Sequence, residues 1–588
     1  MTTNQLTLQH TLPAAPATTR AVPTRVDSHG GTIAYASGHS VVVRPVGSAA
    51  GSVLVCSLHK APVTALRFSP DGQLIASGDQ TGTVLLWANR RGTPEQLNTK
   101  VLQSAVRDIA WTGDGERLIV VGEGRTTFAA AISNTGNTIG RIDGHSRTIL
   151  TCDMKADRPF RAVTGAADAL LGFYEGVPFK FRCTVPGHAN AVTCVRYSPD
   201  MREVATCSSA PAVLLLDGTT GALRRSLPTQ HTGTAYALAW SADGTQLATC
   251  SADKSVHVLD AATGALVHRL SMGTAVADMQ QGIAHTTEGW VSVSLGGALT
   301  LIDPAAGAVR RTYLGHQGRI LMLHVHRDGA VLSLSADGRL LVWESGGATG
   351  AARRVELGAD VAFGYATAGD DVYVVTGRQV VRCSSAEDAP TVVAEDANNA
   401  AALAVTSERQ IVFLHPAKAV LSGTSVELAL PKFDGTCAAA HDTTVALGGA
   451  CEARLVRVTG GRMEPLAVLA GGHQATVSAV AFSADGARVA TGDASRVINV
   501  WSAADGVLLF GPLSYHTLRV TQLAFDATGQ QLLSGSVDCS IMVWDLEANT
   551  RKVEDNAHRG GVSTVAWGPN GAVLSAGGDF CIRVWQRG

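Results

Sequence analysis

Three stretches of the chain repeat one pattern of hydrophobic and polar positions. VTALRFSPDGQLIASGDQTGTVLLW closes on Trp87, VTQLAFDATGQQLLSGSVDCSIMVW on Trp544, and VSTVAWGPNGAVLSAGGDFCIRVW on Trp585. Each begins with a strand of alternating side chains, turns at a glycine into an apolar run, turns again at a polar pair, and ends in a further strand. Alternation of period two between such turns predicts antiparallel hairpins. No stretch sustains a helical period. The unit recurs along the chain, with closing strands near Val43, Trp87, Ile132, Tyr174, Leu216, Leu259, Ile302, Trp343, Val381, Phe413, Val456, Trp501, Trp544 and Trp585. Fourteen units in 588 residues give 42 residues each. Many of them open with a histidine: His59, His145, His188, His231, His316, His473, His516 and His558.

A second regularity runs through the units. In His316, Ser333, Asp337 and Trp343, in His516, Ser534, Asp538 and Trp544, and in His558, Ser575, Asp579 and Trp585, the Asp follows the Ser by 4 residues and the Trp follows the Asp by 6. This matches the buried hydrogen-bonded tetrad of WD40 blades, which the units also resemble in period. Buried polar groups must be paired, so the tetrads read as structural; spacing that recurs unit after unit does not mark a catalytic site. Propellers typically have four to eight blades. Fourteen units therefore predict an all-β chain of two seven-bladed rings in tandem, the first over residues 15–312 and the second over 313–588 plus 1–14. Only Gln586, Arg587 and Gly588 follow Trp585, too few for an outer strand. The alternating segment NQLTLQHTL is expected to supply that strand to the last blade. The chain would then cross between the rings twice.

Composition narrows the class. Charged residues are 16% and hydrophobic residues 46%, which permits large cores and excludes wholesale disorder. The 63 glycines, about 11% against a usual ~7%, suit a chain of tight turns. Forty-seven basic and 49 acidic side chains leave a net charge of -2, which gives no reason to expect a nucleic-acid or membrane-surface binder. The 11 cysteines are scattered singly, with no C-x-x-C, as expected for free thiols in a reducing compartment. Without a signal-like N-terminus or a long apolar run, the expected location is the cytoplasm.

Several stretches are more specific than the blade pattern: VRDIAWTGDGERLIVVGEGR, RPFRAVTGAADALLGFYEGVPFKFRCT, HANAVTCVRYSPD, MGTAVADMQQG, SVSLGGALTLID and GDASRVINVWSAADG. On these the chain resembles the actin-interacting protein 1 family, end to end. The resemblance implies a monomeric, cytoskeletal actin-binding protein. It would bind filaments decorated by cofilin (actin-depolymerising factor), promote their severing and disassembly, and cap the new ends, with no cofactor and no catalysis of its own. It further implies a contact surface on blades three to five. Carried over by motif, that surface comprises Glu123 and Arg125 in GEGR, Asp168 in GAAD, and Phe179, Lys180 and Phe181 in VPFKF. The chain departs from the family pattern at Thr126 and Thr127, at Ala166 and Ala167, and at Ala189–Ala191, where charge or an aromatic is expected.

Other motifs carry less. His324 and His326 form an H-x-H on one strand face without a third ligand, so no metal site is expected. There is no GxxxxGK[ST] loop, no strand-linked GxGxxG and no GxSxG elbow. The alternative to the cytoskeletal reading is a generic WD40 scaffold subunit, for example of a ubiquitin ligase or a trafficking assembly. The blade-three-to-five motifs favour the first.

Overall fold

In a computed structural model the chain forms, among the described residues, fourteen four-stranded antiparallel sheets and two short 3-10 turns. The described residues are 6–587 except 48–51, 90–93, 187, 211, 345–351, 358–361, 378, 385–388 and 398–399. Two compact units result: Ala15–Gly315, and His316–Gly588 together with Met1–Ala14. In the first unit the innermost strands of blades one and seven, Val26–His29 and Gln280–Thr286, lie side by side and close a ring of seven. In the second, Ile320–Val325 and Val562–Trp567 do the same. Each unit is a seven-bladed propeller.

The repeat length has a physical counterpart in the second residue of the inner strand. Thr193 donates to the Ala235 carbonyl at 2.6 Å, Ser478 to Val520 at 2.6 Å, and Thr521 to Val562 at 2.8 Å. Each bond spans 41 or 42 residues and ties one blade to the next. Ser563 donates to the Ile320 carbonyl and so joins the last blade to the eighth. The cores lie between blades: Ala76, Val84 and Leu86 of blade two pack with Ile109, Leu118 and Val120 of blade three.

Leu6–Leu12 pairs antiparallel with Ile582–Arg587, from Leu6 opposite Arg587 to Leu12 opposite Ile582, as the outer strand of blade fourteen. Asn4 and Gln5 of the expected strand lie outside the described residues. Two sequence expectations need correction. The passage between units falls after Gly315, not after residue 312. Tyr313 ends the outer strand of blade seven; its ring is buried with Tyr35 and Val42, and its hydroxyl accepts the Gly47 N–H at 2.7 Å. In blade ten Phe413 lies in the second strand, Ile411–His415, and the third is Lys418–Leu421. No Gly turn marks that hairpin; the chain reverses at Pro416 and Ala417, with proline as the only turn signal.

Candidate functional site

The tetrads form directional chains. In blade fourteen Trp585 Nε1–H donates to Ser575 Oγ at 2.7 Å, the hydroxyl meets His558 Nε2 at 2.8 Å, and His558 Nδ1 faces Asp579 at 2.7 Å. Burial alone would raise the Asp579 carboxyl, but His558 and Arg583 hold it down at about 2. His516, Ser534, Asp538 and Trp544 repeat the chain in blade thirteen. Blade eight is different. His316 reaches Ser333 at 2.6 Å and Trp343 donates to Ser333 at 2.7 Å, but His316 Nδ1 meets Ser335 Oγ at 2.7 Å and Ser335 in turn donates to Asp337. The expected direct His316–Asp337 bond is thus corrected to one relayed by Ser335, which occupies the place beside the ring. Two further tetrads escaped the sequence pattern: His59–Ser77–Asp79–Trp87 and His473–Thr491–Asp493–Trp501. Their Asp follows the hydroxyl residue by two positions, not four.

The channel of the first ring holds a charge network. The fifth residues of successive inner strands are Arg67, Ala110, Asp153, Arg196 and Ala239, and of these Arg67, Asp153, Arg196 and Ala239 line one cavity. Arg67 pairs with Asp153 at 2.9 Å, and Arg196 with Asp108 at 3.1 Å. Arg25 enters from the strand leading into blade one. It lies 3.6 Å from Asp108 and donates to the carbonyls of Arg107, Leu150 and Thr193 in blades three, four and five. Burial would raise the Asp108 carboxyl; Arg25, Arg196 and Arg67 overcome it and hold the group at about 2. These residues pair with one another across blades two to five, so the network locks those blades together.

The rim of blade four exposes large apolar side chains. The turn after Leu170–Glu175 holds Phe179 at φ 69°, which swings Phe179 inward and leaves Val177 and Phe181 outside. Phe181 is 46% exposed, opposite Tyr174 in the sheet, with ring centroids 5.8 Å apart in an edge-to-face arrangement. Its ring lies against the backbone of Gly144, where a Cβ would stand 2.6 Å from the ring. Beside it a groove of about 470 Å³ is lined by Pro159, Phe160, Arg161, Glu175, Lys180 and Arg182. A half-exposed aromatic held rigidly at the edge of a groove, flanked by cations, is the form of an interface anchor.

Comparison with known proteins places this architecture. The WD domain, G-beta repeat family matches residues 51–88, 179–219, 221–260, 463–502, 509–545 and 550–586. The chain is 32% identical to the 66 kDa stress protein of Physarum polycephalum, over 97% of this chain and 98% of that one. It is 32% identical to actin-interacting protein 1-2 of Arabidopsis thaliana, over 95% and 96%, and 31% identical to actin-interacting protein 1 of Drosophila melanogaster, over 95% and 94%. The chain belongs to the actin-interacting protein 1 family.

The residues carried over from that family fall into separate settings. Phe179 is 1% exposed, packed with Met154, Phe160 and Tyr174, so as a contact residue it is a correction: the positive φ turns it into the blade core. Asp168 is also turned inward, with a 7% exposed side chain. Its carboxylate accepts from His145 Nδ1 at 3.1 Å, from the Ser146 N–H at 3.0 Å and from the Leu170 N–H at 3.1 Å. It completes the polar chain of blade four, through Thr164 to Tyr174, and its place in a contact set is corrected to a support beneath the surface. Glu123 is drawn to Arg107, whose Nε donates to it at 3.0 Å, and to Ser104 at 3.3 Å. Arg125 is exposed, with no ion pair among the described residues. Lys180 is exposed beside Phe181. The structure thus joins Phe181, Tyr174 and Asp168 in blade four, while Glu123 and Arg125 belong to the loop of blade three. The channel network was missed in the sequence, although its signal is there: the side chains at 67, 153 and 196 change sign at one register position of the repeat. His324 and His326 do not converge on a third ligand; His326 faces Asp328 at 2.9 Å, and no cluster of three metal-binding side chains occurs among the described residues.

Proposed function

We propose that this protein binds actin filaments decorated by cofilin, promotes their severing and disassembly, and caps the ends produced. The observation that carries the reading is Phe181, a half-exposed aromatic braced by Tyr174 and Gly144 at the edge of a cation-lined groove. It belongs to a chain alignable end to end with proteins named for interacting with actin. The contact set is Phe181 and Lys180 with the blade-three loop of Glu123 and Arg125; Asp168 supports it from below. The mechanism is differential binding: a ligand that prefers the cofilin-strained or severed filament shifts the equilibrium toward it by its difference in affinity for the two states. No bond is made or broken by this chain, and nucleotide hydrolysis stays with actin.

A filament pelleting and severing assay with and without cofilin tests the reading. Polymer should be lost faster only when both proteins are present. Phe181→Ala should weaken the effect by an anchor's worth, about 2 kcal/mol or roughly 30-fold in affinity, with little change in melting temperature. Phe179→Ala should instead cost about 3–5 kcal/mol of stability, the usual figure for a buried Phe. Activity independent of cofilin, or no activity, would move the protein to the scaffold class. Equal effects of the two substitutions on melting temperature would show that the rim was misread.

A further inference from the structure

Blade five carries a feature that filament binding does not use. Of the 11 cysteines, Cys194 and Cys207 are the one pair directly opposite in a β-ladder among the described residues, on Val192–Tyr197 and Glu203–Ser208. Directly opposed residues of an antiparallel pair have Cα atoms ~4.5–5.5 Å apart, inside the ~4.4–6.8 Å window of a disulfide. Residues facing each other across a ladder project on the same side of the sheet. Both sulfurs accordingly turn toward blade six: Cys194 Sγ lies 3.8 Å from the Leu238 carbonyl and Cys207 Sγ 3.8 Å from the Ala235 carbonyl. They also lie within hydrogen-bonding reach of each other. No other cysteine has this arrangement; the buried Cys152 faces Thr164, and Cys250 faces Ala237.

The surroundings favour one thiolate. Cys207 donates to Cys194, and the guanidiniums of Arg196 and Arg25 lie close by, so the Cys194 thiol is held below its usual range despite burial. The thiolate is the nucleophilic form. Both thiols are buried; a cavity of about 190 Å³ beside the first-ring channel is lined by Arg196, Tyr197, Leu238 and Trp240. It touches the residue whose carbonyl lies beside the Cys194 sulfur.

We propose that Cys194 and Cys207 form a redox-active dithiol that hydrogen peroxide converts reversibly to a cross-strand disulfide. The Cys194 thiolate attacks one peroxide oxygen, the O–O bond breaks, and the departing hydroxide takes a proton to become water, leaving a sulfenic acid. Cys207 sulfur then attacks the sulfenic sulfur, the S–S bond forms, and the hydroxyl leaves as a second water with the Cys207 proton. Two thiols lose two electrons in all and one peroxide gains them. A dithiol reductant reverses the reaction.

The test uses the full chain, natively folded and titrated with hydrogen peroxide. Remaining thiols are then blocked in denaturant, and the peptides are mapped by mass spectrometry. The expected result is a joined Cys194–Cys207 peptide pair, about 2 Da lighter than the two thiols together, that dithiothreitol separates. It should appear at doses that leave Cys152 and Cys250 reduced. Cys207→Ser should abolish the joined peptide and leave Cys194 reactive toward dimedone, as a sulfenic acid with no resolving partner. Should that variant fail to fold, the wild-type map decides alone. Recovery of both residues as free thiols, at a dose that fully oxidises the exposed Cys451, would overturn the proposal. So would oxidation of Cys194 no faster than that of Cys152.

Discussion

Replacing Asp108 by Asn keeps its shape and one carbonyl oxygen but removes the single negative charge between Arg25, at 3.6 Å, and Arg196, at 3.1 Å. The carboxyl sits at about 2 against an ordinary 3.8. A shift of nearly two units corresponds to about 2.5 kcal/mol of folding free energy at neutral pH. Breaking a buried pair costs about 3–5 kcal/mol in all, a figure that already contains this contribution. We expect Asp108→Asn to lose about 2.5–4 kcal/mol. With about 2.1 cal/mol/K of unfolding entropy per residue over a ring of roughly 300 residues, that is ~4–6 °C in melting temperature. The sign of the pH dependence follows from a folded pKa lying below the unfolded one. The contribution is complete above about pH 5 and lost as pH falls through the folded value, with about half of it gone by pH 3. His188, lowered to about 4 by burial, titrates in both proteins and cancels in the difference. Urea unfolding of wild type and variant, followed by tryptophan fluorescence at pH 7 and pH 3, measures both quantities. The gap should be little affected by high salt, because a buried pair is poorly screened. An Asn variant as stable as wild type at pH 7, or a gap of the same size at pH 3, would refute the assignment of the network as the lock of blades three to five.

Two other outcomes follow from the second ring. Leu12→Ala should cost about 2–4 kcal/mol, as a core leucine does, and amide hydrogen exchange in Ile582–Arg587 should quicken; unchanged protection would mean that the Leu6–Leu12 strand adds nothing to blade fourteen. Ser575→Ala should cost about 2–4 kcal/mol, because it strips both Trp585 Nε1–H and His558 Nε2 of their buried partner. Combined with Trp585→Phe it should cost clearly less than the two single changes added together, as measured by a double-mutant cycle of urea midpoints.

How far the chain could be read from its residues depended on punctuation. Blades two, thirteen and fourteen are legible because a glycine turn, an alternating strand and a closing tryptophan all agree. Blade ten lacks the turn glycine and the tryptophan, and its third strand was placed one strand early. Asp79 and Asp493 were missed for a geometric reason: a carboxylate at the end of the second strand reaches the same histidine as one in the turn beyond it, so two spacings serve one contact. The rim was only half legible. Alternation along VPFKF predicts that one phenylalanine faces in and the other out, but the choice is made by the positive φ at residue 179, which no side-chain pattern encodes. The channel charges were visible only as isolated Arg and Asp residues, because their pairing joins residues 86 and 88 positions apart.

Neither ring joins its first and last blades through a shared ladder, and side chains make the seam in both. In the second ring the outer strand of blade fourteen comes from Leu6–Leu12, which adds six register pairs of backbone ladder to the last blade. In the first ring every blade takes four consecutive strands, so no ladder joins blade one to blade seven. Side chains and an entering strap do that work. Thr18 donates to the Leu295 carbonyl at 2.6 Å, Gln281 Nε2 to the Thr19 carbonyl at 2.8 Å, and the Thr24 N–H to the Gln281 carbonyl at 3.0 Å. Tyr313 stacks under Arg44 at 4.2 Å while accepting from Gly47. A strap of single bonds can yield one at a time. The first ring also concentrates its buried charges at the opposite side, where Arg25 runs directly from the strap into blades three, four and five. Residue 25 therefore couples the closure of the ring to the blades that carry Phe181, and a perturbation of the strap should be felt at the rim.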